Sequence, residues 1–319
     1  MLTCDTYLTA KTLDAAFDAM EASRGRYRLV AGATDILPWA REGRAGDVHI
    51  PVLIDIASIP ELNVREVGGG KARLGAATRF QRFLDDAALL EAMPVMPRMA
   101  VWFADDQIRE SATIGGNVVN ASPAADGTPA LLAHGAVVEL ASRAAGRIAS
   151  RRIPLNDFMA GPGKTQLAED QILVAVECDA LPGYGAAFEK VGHRRSLVIS
   201  TVCVAALVKL DASKQRVADV RLAIAGIAPV PIRLTDVEAF LKAGPVDADR
   251  LERAAEIPVA YVASRTRQDF RRDVVRGFMR RAIATAAQRA GLDSDAGFVL
   301  DEARKVAQDS LSPPGRGPG

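Results

Sequence analysis

Cysteine is scarce in this chain. Its 319 residues include three, Cys4, Cys178 and Cys203, which stand far apart with no CxxC pair among them. An iron–sulfur cluster or structural zinc held by this chain alone is therefore not expected, because both need several thiolate or imidazole ligands at close spacing. The odd count argues against a disulfide framework and for a reducing compartment. Cys178 and Cys203 lie in apolar runs and read as small buried hydrophobes. An excess of one sign of charge is also missing: 40 basic against 39 acidic side chains leave a formal net charge of +1. No global field for nucleic acid or a membrane surface follows from that balance. No apolar run approaches the ~18–20 residues that span a bilayer, and residues 1–14 hold no charged leader ahead of an apolar stretch. A cytoplasmic chain without direct membrane insertion is expected. His49, His134 and His193 have no neighbouring ligands in sequence, so structural or solvated roles are expected for them, and no metal site.

What is present is an ordinary globular mix, 49% hydrophobic and 25% charged, long enough to bury a sizeable core over two domains. Leu13, Ala16, Phe17 and Met20 recur at helical spacing and predict a helix over 9–23 with Thr9 as its N-cap. A strand over 27–30 runs into Ala31-Gly32-Ala33-Thr34-Asp35, and a short helix follows over 36–41. Residues 52–56 are apolar enough for a strand buried on both faces. Gly68-Gly69-Gly70 marks a hairpin. Helices are expected over 80–90, 97–103 and 129–134, strands over 136–142 and 171–177, and a glycine-broken, strand-like stretch over 112–119. Leu181-Pro182-Gly183-Tyr184-Gly185 is the expected domain joint. Beyond it come strands over 186–191, 201–210 and 219–225, then helices over 234–243 and 270–290. The end, over 310–319, is rich in Pro and Gly and is expected to be disordered. The fold class expected is α+β. Residues 1–180 make two α/β subdomains (about 1–57 and 58–180), residues 181–290 a smaller domain with a three-stranded antiparallel sheet and helices, and residues 291–319 a tail.

Two glycine-containing loops stand out as places for chemistry. In the first, Ala31 to Asp35, small residues let the backbone approach a ligand, and successive N–H groups in a turn can surround an anion such as a diphosphate. Thr34 adds a hydroxyl. The same residues also fit an ordinary strand-to-helix turn capped by Thr34 or Asp35. The second loop runs from Thr113-Ile114-Gly115-Gly116-Asn117 to Ala121-Ser122-Pro123-Ala124-Ala125-Asp126. Thr113 and Asn117 supply donors there, and Asp126 an acceptor for a sugar or ribityl hydroxyl. A bulge at the glycines and a turn at Asp126 explain the pattern equally well. Neither loop has the GxGxxG form, so a Rossmann reading is poor.

In this order the two loops resemble the FAD subunits and domains of the xanthine dehydrogenase and carbon monoxide dehydrogenase family, the molybdenum hydroxylase flavoproteins. Residues 31–35 are similar to that family's AGGTD-like diphosphate motif. The stretch from Phe103 through Gln107-Ile108-Arg109 to Asp126 is similar throughout. Gly161-Pro162-Gly163-Lys164-Thr165, Gln171-Ile172-Leu173, Lys190 to Arg195, Gly226 to Arg233 and Ser264 to Arg281 follow in register. The resemblance extends over about residues 1–290 and implies a two-subdomain FAD-binding domain followed by the smaller domain.

For individual residues the resemblance implies the following. Val30, Ala31, Gly32, Ala33, Thr34, Asp35 and Ile36, with Leu37, cradle the FAD diphosphate through backbone N–H groups. Thr113, Gly116 and Asn117 continue the cradle. Asp126 binds FAD hydroxyls, and Phe103 packs against the adenine or nearby cofactor atoms. Leu173 and Lys190 line the flavin ring. A fixed cation at Lys190 favours negative charge on the reduced ring; a surface lysine ending a strand is the plainer reading. The chain is then an electron-transfer subunit without catalytic residues beyond the flavin. An iron–sulfur subunit with two-iron clusters and a molybdenum-cofactor subunit are its implied partners, and NAD, a quinone, a carrier protein or oxygen is the acceptor. Two departures stand out. Ala33 replaces a glycine common in the first loop and tolerates positive φ poorly. Ser196-Leu197-Val198 lacks the acid that relatives often carry just before the Ile-Ser/Ala step, which puts NAD as acceptor in doubt. A stand-alone flavin oxidoreductase of related fold, or a non-catalytic nucleotide-binding scaffold, is the alternative. The arginines 271, 272, 276, 280 and 281 read as a solvated helix face or a partner dock.

Overall fold

The computed structural model describes residues 1–194, 197–214, 216–245, 247–262 and 266–292. The expected tail beyond that, and Arg195, Ser264 and Arg265 of the resemblance, lie outside the described residues.

The chain opens with β1 (Thr6–Thr9), α1 (Leu13–Ala22), β2 (Tyr27–Val30), α2 (Ile36–Arg41) and β3 (Val52–Asp55). The strands form a parallel sheet in the order β1-β3-β2, and α1 turns Ala16, Phe17 and Met20 inward. Thr12, not Thr9, caps α1: its hydroxyl accepts from Ala15 N at 3.1 Å. Thr9 ends β1 instead, paired with Asp55, so the ladder claims it before the helix can.

The second unit contains β4 (Arg65–Gly68), β5 (Lys71–Gly75), α3 (Arg82–Asp85), α4 (Ala87–Ala92), α5 (Val95–Ala100), α6 (Asp106–Arg109), α7 (Ile114–Asn120), α8 (Gly127–Ala133), β6 (Val137–Ala144), β7 (Arg147–Pro154), α9 (Leu155–Phe158), β8 (Met159–Gly161), β9 (Lys164–Thr165) and β10 (Gln171–Asp179). Its main sheet is antiparallel, β4-β5-β10-β6-β7, with β8 and β9 as a separate hairpin. The helix expected over 80–90 is two, because the Asp86 carboxylate accepts from Ala88 N and Leu89 N and starts α4 afresh. The larger correction is at 112–119, where the strand-like stretch is the helix α7.

The third unit is β11 (Gly185–Val191), β12 (Val202–Leu210), β13 (Val217–Ala225), β14 (Ile232–Arg233), α10 (Thr235–Lys242), α11 (Ala248–Glu256) and α12 (Gln268–Arg289). The three expected strands pair antiparallel, and the short β14 adds a fourth beside β13. Strand alternation sends Phe188, Cys203, Ala205, Leu207, Ala223 and Ala225 into a core shared with the first two units. Ala187, Val202, Val204, Ala206, Val208, Leu222 and Ile224 face the other way, into a core closed by α10, α11 and α12. β12 is thus buried on both faces, and each fully buried Val or Leu on it contributes roughly 1.5–3 kcal/mol.

Named polar contacts hold the units together. Arg143 of β6 reaches Asp18 at 2.6 Å and Glu21 at 3.2 Å on α1, and Tyr27 donates its hydroxyl to the Glu169 carbonyl. At the joint between the second and third units, Asp179 takes Lys71 at 2.6 Å and Arg221 at 2.5 Å. Gly226 N donates to the Pro123 carbonyl at 2.8 Å.

Candidate functional site

The first loop leaves the sheet at Val30, whose carbonyl accepts from Ile56 N at 2.9 Å. Ile36 anchors its far end in a small apolar cluster with Ile50 and Leu53. Between these fixed points Ala33 takes the left-handed conformation, φ 55°, which costs an alanine about 1–2 kcal/mol. Residues 31–34 are half-buried. Yet, among the described residues, no hydrogen-bond partner serves the backbone N–H of Ala31, Gly32, Ala33, Thr34 or Asp35. Asp35 stands at the N-cap of α2 without a side-chain cap bond, so the plain capping explanation of these residues fails. What remains is a turn of five successive unspent donors, the chemistry that an anionic diphosphate needs. Leu37, the next residue along α2, is exposed.

Gly32 brings the second loop to the first. A β-carbon at Gly32 would overlap the carbonyl oxygen of Ser111 and crowd Ala112, so only glycine allows this approach. Directly after it, Thr113 caps α7, its hydroxyl accepting from Gly116 N at 3.1 Å. Ile114 N and Gly115 N donate to the carbonyls of Thr78 and Ala76 at 2.9 and 2.8 Å, and Asn117 N to Thr113 O at 3.0 Å. The amides at the start of α7, Gly116 included, are therefore already engaged; the side chains are what this loop has left to offer. Asn117 Oδ1 is buried without a partner among the described residues, as are Thr78 Oγ1 and Thr128 Oγ1. Orphaned buried acceptors and hydroxyls are uncommon in proteins and mark a place where another polar group fits. The hairpin loop at Gly163 rests on the end of α7, donating to the Ala121 carbonyl at 3.0 Å.

The remaining expected residues gather at the joint with the third unit. Lys190 Nζ lies 2.5 Å from Asp126 Oδ2, with side-chain exposures of 4% and 9%. It also donates to the Trp102 carbonyl at 3.1 Å. Lys190 is therefore no surface lysine. Burial pushes the Asp126 carboxyl above the usual carboxylate range, against the lowering pull of Lys190 and Ser200. Ser200 donates to Asp126 Oδ1 at 2.5 Å. No local pattern marks this serine, because its buried partner lies 74 residues away. Phe103 stacks on Phe80 with ring centroids 4.1 Å apart, and Phe80 in turn packs on Gly127 beside Asp126. Leu173 is buried in β10 next to a register shift. It adjoins Val174, whose carbonyl accepts from Ala76 N, so Ala76 links it to Gly115. Among the described residues, no hydrogen bond joins the 31–35 loop to Asp126 or Lys190.

Other side chains settle into structural roles. His134 is fully buried, with Nδ1 2.9 Å from the Asp179 carbonyl. Arg272, Arg276, Arg280 and Arg281 each have an acidic partner, namely Asp269, Glu256 with Asp273, Glu252 and Glu189. That pairing weakens the case for a basic dock. Cys178 and Cys203 are buried free thiols. Among the described residues, no group of His, Cys, Asp and Glu could hold a metal ion, and no helix is long and apolar enough to cross a membrane.

Comparison with known proteins addresses the whole arrangement. Residues 3–178 match the family model described as FAD binding domain in molybdopterin dehydrogenase. Residues 186–286 match CO dehydrogenase flavoprotein C-terminal domain. The xanthine dehydrogenase FAD-binding subunit of Escherichia coli O157:H7 is 30% identical over 292 residues, covering 90% of this chain and 97% of its own. The nicotine 6-hydroxylase medium subunit of Paenarthrobacter nicotinovorans is 26% identical, covering 89% and 97%. Among solved structures, a chain of carbon monoxide dehydrogenase from Hydrogenophaga pseudoflava shares the fold, with a TM-score of 0.82 at 24% identity, over 91% of this chain and 99% of that one. The chain belongs to the family of FAD-binding flavoprotein subunits of the molybdenum hydroxylases.

Proposed function

We propose that this chain is the FAD-binding electron-transfer subunit of a heteromeric molybdenum hydroxylase of the xanthine dehydrogenase type. It would receive electrons from two-iron clusters on an iron–sulfur subunit, with the molybdenum cofactor on a third chain. It would pass them to an acceptor such as NAD, a quinone, a carrier protein or oxygen. The observation that carries the reading is the meeting of the unspent amides of Ala31 to Asp35 with the Ser111–Asn117 segment at Gly32.

The residues fit the cofactor. The amides of Ala31 to Asp35 would hold the diphosphate, with Val30 and Ile36 fixing the two ends of the loop. Thr113 and Asn117 would offer side-chain contacts, and Gly116 the close backbone. Asp126 would accept from FAD hydroxyls, Phe103 would cover nearby cofactor atoms, and Leu173 and Lys190 would border the ring. Bound FAD supplies the ability to take electrons one at a time and deliver two. The protein would hold the ring in position. Residues 1–57 and 58–180 would act as the two jaws of the cofactor domain, and 181–290 as the domain that brings Lys190.

The test is the visible spectrum of the purified chain. Flavin absorbance, or stoichiometric uptake of added FAD, is the expected result; a folded chain that takes up none sinks the reading. Mass spectrometry of the intact complex purified through this chain would identify the iron–sulfur and molybdenum subunits. A lone active flavoprotein would favour the stand-alone oxidoreductase.

A further inference from the structure

Asp126 stands at the start of α8 but makes no side-chain bond to that helix. Its carboxylate turns across the joint to the third unit. There Oδ2 meets Lys190 of β11 and Oδ1 meets Ser200 just before β12, both at 2.5 Å. Lys190 pairs in register with Cys203 of β12, a fully buried thiol whose titration burial pushes well above the ordinary range. One layer back, Arg271 of α12 is buried and donates to the carbonyls of Thr201 and Gly226. Among the described residues, Lys190, Ser200 and Cys203 reach this carboxylate, and Arg271 braces the carbonyls of Thr201 and Gly226.

A carboxylate this deeply buried keeps its charge only while donors oppose the cost of desolvation. Lys190 supplies one, and its ammonium is spent on Asp126 and on the Trp102 carbonyl. Ser200 supplies a second, from the opposite oxygen, and the Cys203 thiol a third. With Ser200 present, the ammonium and the carboxylate form a matched pair with no net charge. Without it, the carboxylate keeps Lys190 and the Cys203 thiol but loses its hydroxyl donor, and it takes up a proton at higher pH. Lys190 is then left as an unmatched cation in a site of low dielectric, where a lone charge acts strongly on its neighbours.

We propose that Ser200 is a positioning residue for the cofactor: its hydroxyl keeps Asp126 ionised against Lys190, and this matching of the lysine's charge holds the flavin's reduction potential down. The inference rests on the reading above, in which Lys190 borders the ring. It concerns a residue outside the expected cofactor contacts.

The experiment is redox titration of the full chain loaded with FAD, by equilibration with dyes over a range of pH. Wild type is compared with Ser200→Ala, Ser200→Thr and Ser200→Val. In Ser200→Ala and Ser200→Val the reduced cofactor should be favoured over the oxidised by about tenfold more than in wild type. For a two-electron couple that is about 30 mV. The excess should be confined to the pH interval in which Asp126 is protonated in the variant and ionised in wild type, and vanish above it, where both are ionised, and below it, where both are protonated. Ser200→Thr, which keeps the hydroxyl in the same volume as valine, should follow wild type. FAD-loaded Ser200→Ala and Ser200→Val that track wild type at every pH overturn the proposal. So does loss of FAD uptake in both while Ser200→Thr binds normally, since the hydroxyl would then serve cofactor binding and not the potential. A wild-type chain that takes up no FAD overturns the cofactor reading itself, a separate and recognisable result.

Discussion

The α-carbon of Gly32 rests against the backbone of Ser111, with no room between them for a side chain. This one approach sets the distance between the two loops of the cofactor site. Gly32→Ala should push the loops apart and cost about 1–3 kcal/mol of stability, the range for overpacking a close contact. It should also lower FAD occupancy sharply. Thermal unfolding and flavin content of the purified variant check both, and a variant with wild-type values for each would show that the contact does not set the site.

Ala33 makes a prediction of opposite sign. Its φ of 55° is one that glycine adopts without penalty, so Ala33→Gly relieves local strain. The gain, less the greater freedom of glycine in the unfolded chain, should be a few tenths to about 1 kcal/mol. The amide of residue 33 is kept, so FAD affinity should be unchanged or tighter. A lowered melting temperature would contradict the strained geometry.

The Asp126–Lys190 pair should behave as a buried ion pair does. Removing one partner by Lys190→Met or Asp126→Asn strands a polar group in the interior, at a cost of about 3–5 kcal/mol. The double variant should lose clearly less than the sum. Urea unfolding of the four proteins in a double-mutant cycle measures this coupling; additive losses would mean that the two groups do not depend on each other.

His134 gives a pH dependence. Burial holds its imidazole down at about 4, against an ordinary value of 6.5. The folded protein therefore binds fewer protons than the unfolded chain between those two values. Stability contributed by neutral His134 is complete above pH 6.5 and is lost as pH falls toward 4. At ~1.4 kcal/mol per unit the loss comes to about 3 kcal/mol. His134→Asn can keep the bond to the Asp179 carbonyl and does not titrate, so its unfolding free energy should fall less steeply over that interval. Parallel curves for variant and wild type would refute the assignment.

Much of the architecture was legible because it rests on short-range rules. The strands of the third unit appear where they are expected, for β11, β12 and β13 are runs of seven to nine residues, and β12 is apolar almost throughout. β14, with only Ile232 and Arg233, is too short to display one. The stretch at 112–119 misled for a chemical reason: adjacent glycines argue against a helix by propensity, while Thr113 settles the matter by capping Gly116 N. The candidate site divides the same way. The small-residue loop before α2 is visible as a pattern. The unspent state of its amides, the Gly32–Ser111 approach and the Ser200–Asp126 bond all depend on distant parts of the chain meeting, and no local pattern encodes them.

Lys190 follows Asp126 by 64 residues. During synthesis, the aspartate emerges long before the lysine that answers it. A chain halted near residue 180 would have the whole 31–126 lining and none of the counter-charge, leaving the carboxylate to water or to a proton. The strand that carries Lys190, β11, therefore decides when this site becomes electrically complete, and cofactor loading that needs the neutral pair must wait for it.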